Sequence, residues 1–190
     1  MWYNAPAEIF ISALNFYAEK GNHMNISLET VKIEEKQILK NLGELYIYEL
    51  TQHAPVDVDD LGLYNGFDDL DLYWTDENRY PYFIKVNNKL AGFVLVFDGR
   101  QIEGIKSNYS IDEFFVMYKY KRQGIGKYCA RYIFEKFRGK WQIWFHPKNE
   151  DAKKFWTNLI NEYTNGRFET VENDAPFYDG TIGNTLVFDS

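Results

Sequence analysis

The chain has 190 residues, 45% hydrophobic and 18% aromatic, which suits one domain with a full-sized core. Its formal net charge of −7 argues against a general attraction to nucleic acid. No apolar run approaches the roughly 18–20 residues of a membrane span, the first residues lack the Lys/Arg of a secretory signal, and a single cysteine forbids an internal disulfide; a cytoplasmic chain is expected.

Phe10, Ala13, Leu14 and Tyr17 share one helical face, with Pro6 suited to a first turn and Gly21-Asn22 to a stop. Residues 1–23 are therefore predicted as a helical extension ahead of a single domain at 24–190, with a natural start at Met24 as the alternative. Residues 26–33 read as an opening strand. Residues 34–53 read as a helix with Ile38, Leu42, Leu45 and Tyr46 on one face. An irregular connection follows at 54–79, with a short helix at 68–73.

No Lys or Arg lies between Lys40 and Arg79, whereas Glu44, Glu49, Asp57, Asp59, Asp60, Asp68, Asp69, Asp71, Asp76 and Glu77 do. That stretch is either a solvated acidic loop or an acidic mouth that gathers a cationic amine. Residues 82–86 and 89–97 make a hairpin through Asn87-Asn88, and Asp98-Gly99-Arg100 signals another turn. Residues 111–116 form a short buried strand. Ile125, Cys129, Tyr132, Ile133 and Phe137 then recur at helical spacing. Residues 141–146 are a further strand, Asn149 caps another helix, and 167–172 and 181–188 are final strands. This order predicts an α/β (α+β) fold, a mixed, mostly antiparallel twisted sheet of six or seven strands with helices on both faces.

Between the strand at 111–116 and its helix stands Lys121-Arg122-Gln123-Gly124-Ile125-Gly126-Lys127. A basic, Gly-containing turn from strand into helix is an anion site, because the first helical N–H groups lack intrahelical partners and the helix dipole favours negative charge. Gly124 and Gly126 let a phosphate approach the backbone, and Arg122 and Lys127 add charge-assisted contacts. A dinucleotide fingerprint would need a third glycine at Cys129. A P-loop would need a glycine at Lys121 and Ser or Thr at Tyr128. Neither fits.

The segment resembles the pyrophosphate loop of the GNAT N-acetyltransferases, Arg/Gln-x-x-Gly-x-Gly/Ala, with Lys121 first and Gly124 and Gly126 at the glycines. Lysine for Arg or Gln is a departure, with Arg122 beside it. The family's Asn-x-x-Ala-x-x-Phe-Tyr pattern maps onto Asn149, Ala152, Phe155 and Trp156, and residues 90–96 look like its hairpin strand. The similarity covers residues 26–189, with the specific motifs within 109–160. It implies the GNAT fold and acetyl-CoA as co-substrate. It also implies a cofactor site made of Phe114, Phe115 and Val116 of the strand, Lys121, Arg122, Gln123, Gly124, Ile125, Gly126 and Lys127 of the loop, and Asn149, Phe155 and Trp156 of the second helix.

In such proteins the pantetheine arm pairs with the bulged strand as an added strand would, which gives the Val116 N–H the task of polarising the thioester carbonyl. An alkyl ammonium with pKa near 10 must lose a proton before it attacks, so a base is useful. Alternation puts Asp112 and Glu113 on opposite faces. Glu113 is the candidate base, against the plainer reading of a carboxylate paired with a nearby Lys or Arg. His146 is either a proton relay or structural. The family's leaving-group Tyr falls at Trp156, whose N–H has no useful acidity. Tyr163 is about 10 Å further along the helix. Either Tyr118 or Tyr120 substitutes, or the thiolate leaves unassisted. Cys129, on the apolar stripe, reads as a small buried hydrophobe.

Two functions compete. The first is an acyltransferase, moving acetyl from acetyl-CoA by direct transfer to a primary, cationic amine of a small molecule or peptide. The second is a CoA-binding sensor or scaffold module, which Trp156 favours. Both exclude nucleic acid and membrane as partners and admit a homodimer. No metal is expected, because His23, His53 and His146 form no ligand spacing.

Overall fold

Short turns and alternating apolar residues lay down one sheet in a computed structural model that describes residues 24–99, 101–102, 105–106, 108–172, 176–177 and 179–190. The helix expected within 1–23 lies outside these residues. Strand β1 (Ile26–Thr30) ends three residues before the expected boundary. There the Glu35 carboxylate accepts the Lys32 N–H at 3.0 Å, and Ile33–Glu35 tighten into a 3-10 turn ahead of α1 (Lys36–Leu50). A second 3-10 turn, Asp68–Asp71, runs into the single-turn α2 (Leu72–Thr75).

Strands β2 (Arg79–Val86) and β3 (Lys89–Asp98) turn at Asn87 and Asn88, whose φ of +49° and +60° are left-handed values that asparagine tolerates. The small hairpin of β4 (Gln101–Ile102) and β5 (Ile105–Lys106) stands apart from the main sheet. Next come β6 (Tyr109–Val116), a 3-10 turn at Tyr118–Tyr120, and α3 (Ile125–Lys136). The chain closes with β7 (Lys140–Trp144), α4 (Glu150–Thr164), β8 (Glu169–Glu172) and β9 (Asn184–Asp189).

The main sheet has seven strands in the order β1-β2-β3-β6-β7-β9-β8, and only β6 and β7 run parallel. On one face Ile125, Cys129 and Ile133 of α3 and Leu159 and Ile160 of α4 pack over Val94, Ile111, Trp141 and Ile143. On the other, Leu39 and Leu42 of α1 and Tyr73 of α2 pack over Phe83, Phe93, Leu95 and Phe115. Each buried Leu or Ile contributes about 1.5–3 kcal/mol. The predicted mixed sheet with helices on both faces is the one observed. No described helix is long and apolar enough to cross a membrane.

Two irregularities distort β6. Leu95 faces Glu113 while Val96 faces Ile111, so Asp112 is the extra residue of a β-bulge. On its other edge β6 pairs with β7 only at Tyr109–Trp141 and Ser110–Gln142. Beyond Ser110 the two strands part and leave a fork. Across β6, Gly92 faces Val116 so closely that a Cβ on it would lie 1.9 Å from the Phe115 carbonyl oxygen. Only glycine lets β3 hold β6 there.

Candidate active site

The fork opens toward the loop that begins α3. Arg122 (φ +60°) and Gly124 (φ +81°) both take left-handed backbone and swing the chain from the 3-10 turn into the helix. The Gln123 side chain donates to the Lys119 carbonyl at 2.7 Å and fixes the turn. Gly124 is the N-cap and, having no side chain, cannot itself cap α3; among the described residues no side-chain cap bond is found there. The first-turn N–H groups of 125–127 lack intrahelical partners. Ile125 is fully buried, so it offers a ligand backbone only. The loop's cations have partners: Lys121 with Glu49 of α1, Lys127 with Glu162 of α4, and Arg122 with Asp151 at 3.1 Å.

Behind the loop, four of the expected residues converge. Phe114 stacks on Phe155 with ring centroids 5.9 Å apart and meets Trp156 edge-on at 5.2 Å. A Cβ on Gly126 would touch Phe155 at 3.4 Å and Phe114 at 3.5 Å, so α3 begins flush against this aromatic wall. Asn149 caps α4, its Oδ1 accepting the Ala152 N–H at 2.9 Å. Phe115 goes elsewhere: its ring packs against Tyr46 and Phe93, 5.7 Å from each, on the α1 side of the sheet. Its backbone points away too. The Met117 N–H donates to the Ala91 carbonyl at 2.8 Å, so alternation turns Phe115 toward β3 and the amides of Phe114 and Val116 toward the fork.

At the bulge, Asp112 accepts hydrogen bonds from Ser110 Oγ at 2.8 Å and Tyr73 Oη at 3.3 Å, with the Arg79 guanidinium 3.6 Å away. Burial pushes the Tyr73 phenol well above its ordinary range, and the charges of Asp112 and Glu113 both add to the rise while Arg79 opposes it. Both carboxylates therefore act on the same phenol. This corrects the expectation that alternation separates them: a bulge sets two residues against one and cancels a step of the alternation. Tyr73 itself had no signal in the sequence, since it meets Asp112 across 39 positions.

The model of the acetyltransferase (GNAT) family matches residues 45–159, from within α1 to within α4, and so includes the bulge, the fork and the loop. The chain belongs to the GNAT acetyltransferase family. No curated protein matches it. Among solved structures, an acetyltransferase from Thermus thermophilus superposes with a TM-score of 0.62 at 13% identity, over 87% of this chain and 97% of that one. Arabidopsis thaliana Naa50, in complex with the bisubstrate analogue CoA-Ac-MVNAL, gives 0.56 at 19% identity, over 87% and 99%. A putative GNAT acetyltransferase from Bacteroides thetaiotaomicron gives 0.55 at 20% identity, over 86% and 87%. At these identities the structures bear on the fold, and the family model carries the membership.

As a GNAT acetyltransferase the chain is an acyltransferase. The Lys148 backbone N–H donates to His146 Nδ1 at 3.2 Å, which leaves Nε2 to carry the proton toward Asp179, 3.2 Å away, and Thr181 Oγ1, 2.9 Å away. The Thr181 hydroxyl and backbone N–H, with help from His146 and Lys148, hold the Asp179 carboxyl well below the usual carboxylate range. His146 thus ties the end of β7 to residues 179–181, which is the structural reading of this histidine. Tyr118 is 87% exposed, and Tyr163 is bonded to Glu135 at 3.0 Å and Arg138 at 3.3 Å. Tyr120 shares the buried cluster of Trp156. Burial pushes the Cys129 thiol far up, as befits an inert core residue.

Several carboxylates of the acidic stretch are hydrogen-bonded or ion-paired, although Asp57, Asp59, Asp60, Asp71 and Glu77 remain exposed. Glu44 accepts the Tyr64 and Asn65 N–H groups at 2.7 and 3.1 Å, and Asp59 accepts those of Leu61 and Leu63 at 2.8 and 2.9 Å. Asp71 pairs with Lys36 and Asp76 with Arg79. These carboxylates hold the long connection onto α1 and the sheet.

Proposed function

We propose that the protein moves an acetyl group from acetyl-CoA, by direct transfer, to a primary amine of a small molecule or peptide. The observation that carries this reading is the fork. β6 leaves β7 after Ser110 and runs, with the amides of Phe114 and Val116 turned into the gap, to a helix N-terminus that, among the described residues, no side chain caps. An open strand edge suits the amides of a pantetheine arm. The loop suits its diphosphate, because Gly124 has the left-handed backbone that brings successive N–H groups to one side. The residues fit the group.

Acetyl-CoA, when bound, supplies a thioester: the amine nitrogen bonds to the acyl carbon, the carbon–sulfur bond breaks with its electron pair on sulfur, and the nitrogen gives up one proton. In this proposal the amides of 124–127 hold the diphosphate, and Lys121, Arg122 and Lys127 balance its charge. Gln123 holds the turn, Asn149 borders the arm from the cap of α4, and Phe114, Phe155 and Trp156 wall the thioester. The Val116 N–H donates to the thioester carbonyl, a contribution on the order of 3 kcal/mol for one preorganised donor. Glu113, which shares the face of β6 that carries Tyr73, takes the amine proton, and Asp112 braces the bulge through Ser110, Tyr73 and Arg79. Phe115 contributes packing from the other face.

The test is thiol release from acetyl-CoA with a panel of primary amines, with the acetylated product identified by mass. Amine-dependent release supports the proposal. Saturable CoA binding with no release for any amine would replace it with the sensor or scaffold reading, for which Trp156 in place of a phenol is the supporting observation.

A further inference from the structure

Leu45 and Tyr48 of α1 and Tyr118 of the 3-10 turn are large apolar side chains left 50%, 66% and 87% exposed, and they line one cavity. It has a volume of about 390 Å³ and lies between the C-terminal half of α1 and the end of β6, where Phe115 and Met117 complete its apolar wall. A single exposed Leu needs no explanation, but apolar side chains gathered around a hollow of a few hundred Å³ are the usual form of a small-molecule site.

Phe115 and Met117 are the chain neighbours of Val116, whose N–H is turned into the fork. The cavity wall is therefore one residue, about 3.3 Å of strand, from the proposed donor to the thioester carbonyl. The cavity and the cofactor's aromatic wall lie on opposite faces of the sheet. Phe114, Phe155 and Trp156 pack with α3 and α4, whereas Phe115 packs with α1. A cofactor that enters over α3 fills the first face and leaves the second to the acceptor. Charge then narrows the acceptor's chemistry. The charged groups in the lining are Glu49 and Lys119, one of each sign, and Glu49 is bonded to Lys121. Such a wall has no surplus negative charge to gather a polycation, and a further charged group taken out of water there would go unpaired.

We infer that this cavity is the acceptor site and that the acceptor is a primary amine carried on a compact apolar body, aromatic or branched, rather than a polyamine. The inference rests on the acetyl-transfer reading. Leu45, Tyr48 and Phe115 hold the apolar body, and the amine nitrogen faces the acyl carbon at the Val116 end. A free arylalkylamine and the first residue of a peptide both present this chemistry.

Three measurements decide it. With acetyl-CoA, kcat/KM for phenethylamine is expected to exceed that for ethylamine by at least about tenfold, the discrimination that a single methylene gives in an apolar pocket. It is expected to exceed that for spermidine as well. A lysine-free peptide beginning with Phe is the second arm: transfer to its N-terminus assigns the peptide source, transfer to phenethylamine alone assigns the free amine, and either supports the inference. Preference for spermidine or for a lysine side chain overturns it. Leu45→Glu adds a carboxylate to the exposed part of the wall. It is expected to raise KM for phenethylamine about tenfold or more, to shift preference toward spermidine, and to leave CoA affinity unchanged; an unchanged ratio of the two amines overturns the assignment. If the parent protein acetylates no amine, the transfer reading fails, and the cavity is read by binding alone. Phenethylamine added to the CoA-saturated protein is expected to shift the methyl signals of Leu45 and Met117, and shifts elsewhere only, or none, overturn the inference.

Discussion

Lys121, the first residue of the phosphate loop, is bonded to Glu49 near the end of α1. Arg122 and Lys127 have carboxylate partners as well, so the loop is close to charge-balanced within the protein. A diphosphate bound at 124–127 competes with these carboxylates for the same cations. Glu49→Gln releases Lys121 and is expected to tighten CoA binding by up to about fivefold, because a partly exposed pair contributes about 0–1 kcal/mol. The gain should be largest at low salt. Calorimetric titration of CoA into both proteins at two ionic strengths measures it, and weaker binding by the variant would show that the pair orders the loop rather than occupying it.

Glu113 and Asp112 share a face yet are assigned different roles, so their amide variants should differ. Glu113→Gln is expected to lower turnover about 100-fold or more at neutral pH, with the deficit shrinking as the amine is neutralised by rising pH. Asp112→Asn weakens three contacts around the bulge and is expected to cost about 1–3 kcal/mol of stability while leaving the shape of the pH profile intact. Denaturant midpoints and pH–rate profiles of the two variants separate the roles.

What the sequence disclosed was local. The strand, the glycine turn and the helix at 111–137 follow from periodicity and composition over about twenty-five residues, and the Asn149 cap from its neighbours. What it hid was relational. The bulge at Asp112 depends on how β6 registers against β3, so a period-two reading of β6 alone splits Asp112 from Glu113 when the fold joins them. Which backbone N–H groups Glu44 and Asp59 satisfy could not be read either, because those groups belong to a loop whose path is not encoded in composition.

Gly92→Ala tests the mechanical role of β3. Its Cβ would lie 1.9 Å from the Phe115 carbonyl oxygen, a contact with backbone that only strand displacement relieves. A cost of about 1–3 kcal/mol is expected from such overpacking. Because β6 forms one arm of the fork, CoA affinity should fall as well. A variant that melts like the parent and binds CoA unchanged would show that β6 is free to shift.

The Asp179 carboxyl is held low in the folded protein, so its stabilising effect is complete above the unfolded value near 4 and fades as pH falls toward the depressed one. Asp179→Asn is therefore expected to lower the melting temperature at pH 7, and the gap between variant and parent should narrow steadily below about pH 4. Thermal melts of the two proteins from neutral to acid pH provide the comparison; a gap independent of pH would assign the effect to packing.

Everything proposed for this protein depends on where the cofactor lies, and amide hydrogen exchange reads that location directly. Addition of millimolar acetyl-CoA is expected to slow exchange in two separate segments, 113–116 on the open edge of β6 and 124–127 at the start of α3, with little change in β1 or β8. Protection confined to other segments, or none under saturating acetyl-CoA, would contradict the assignment of the fork and the glycine turn as one binding site.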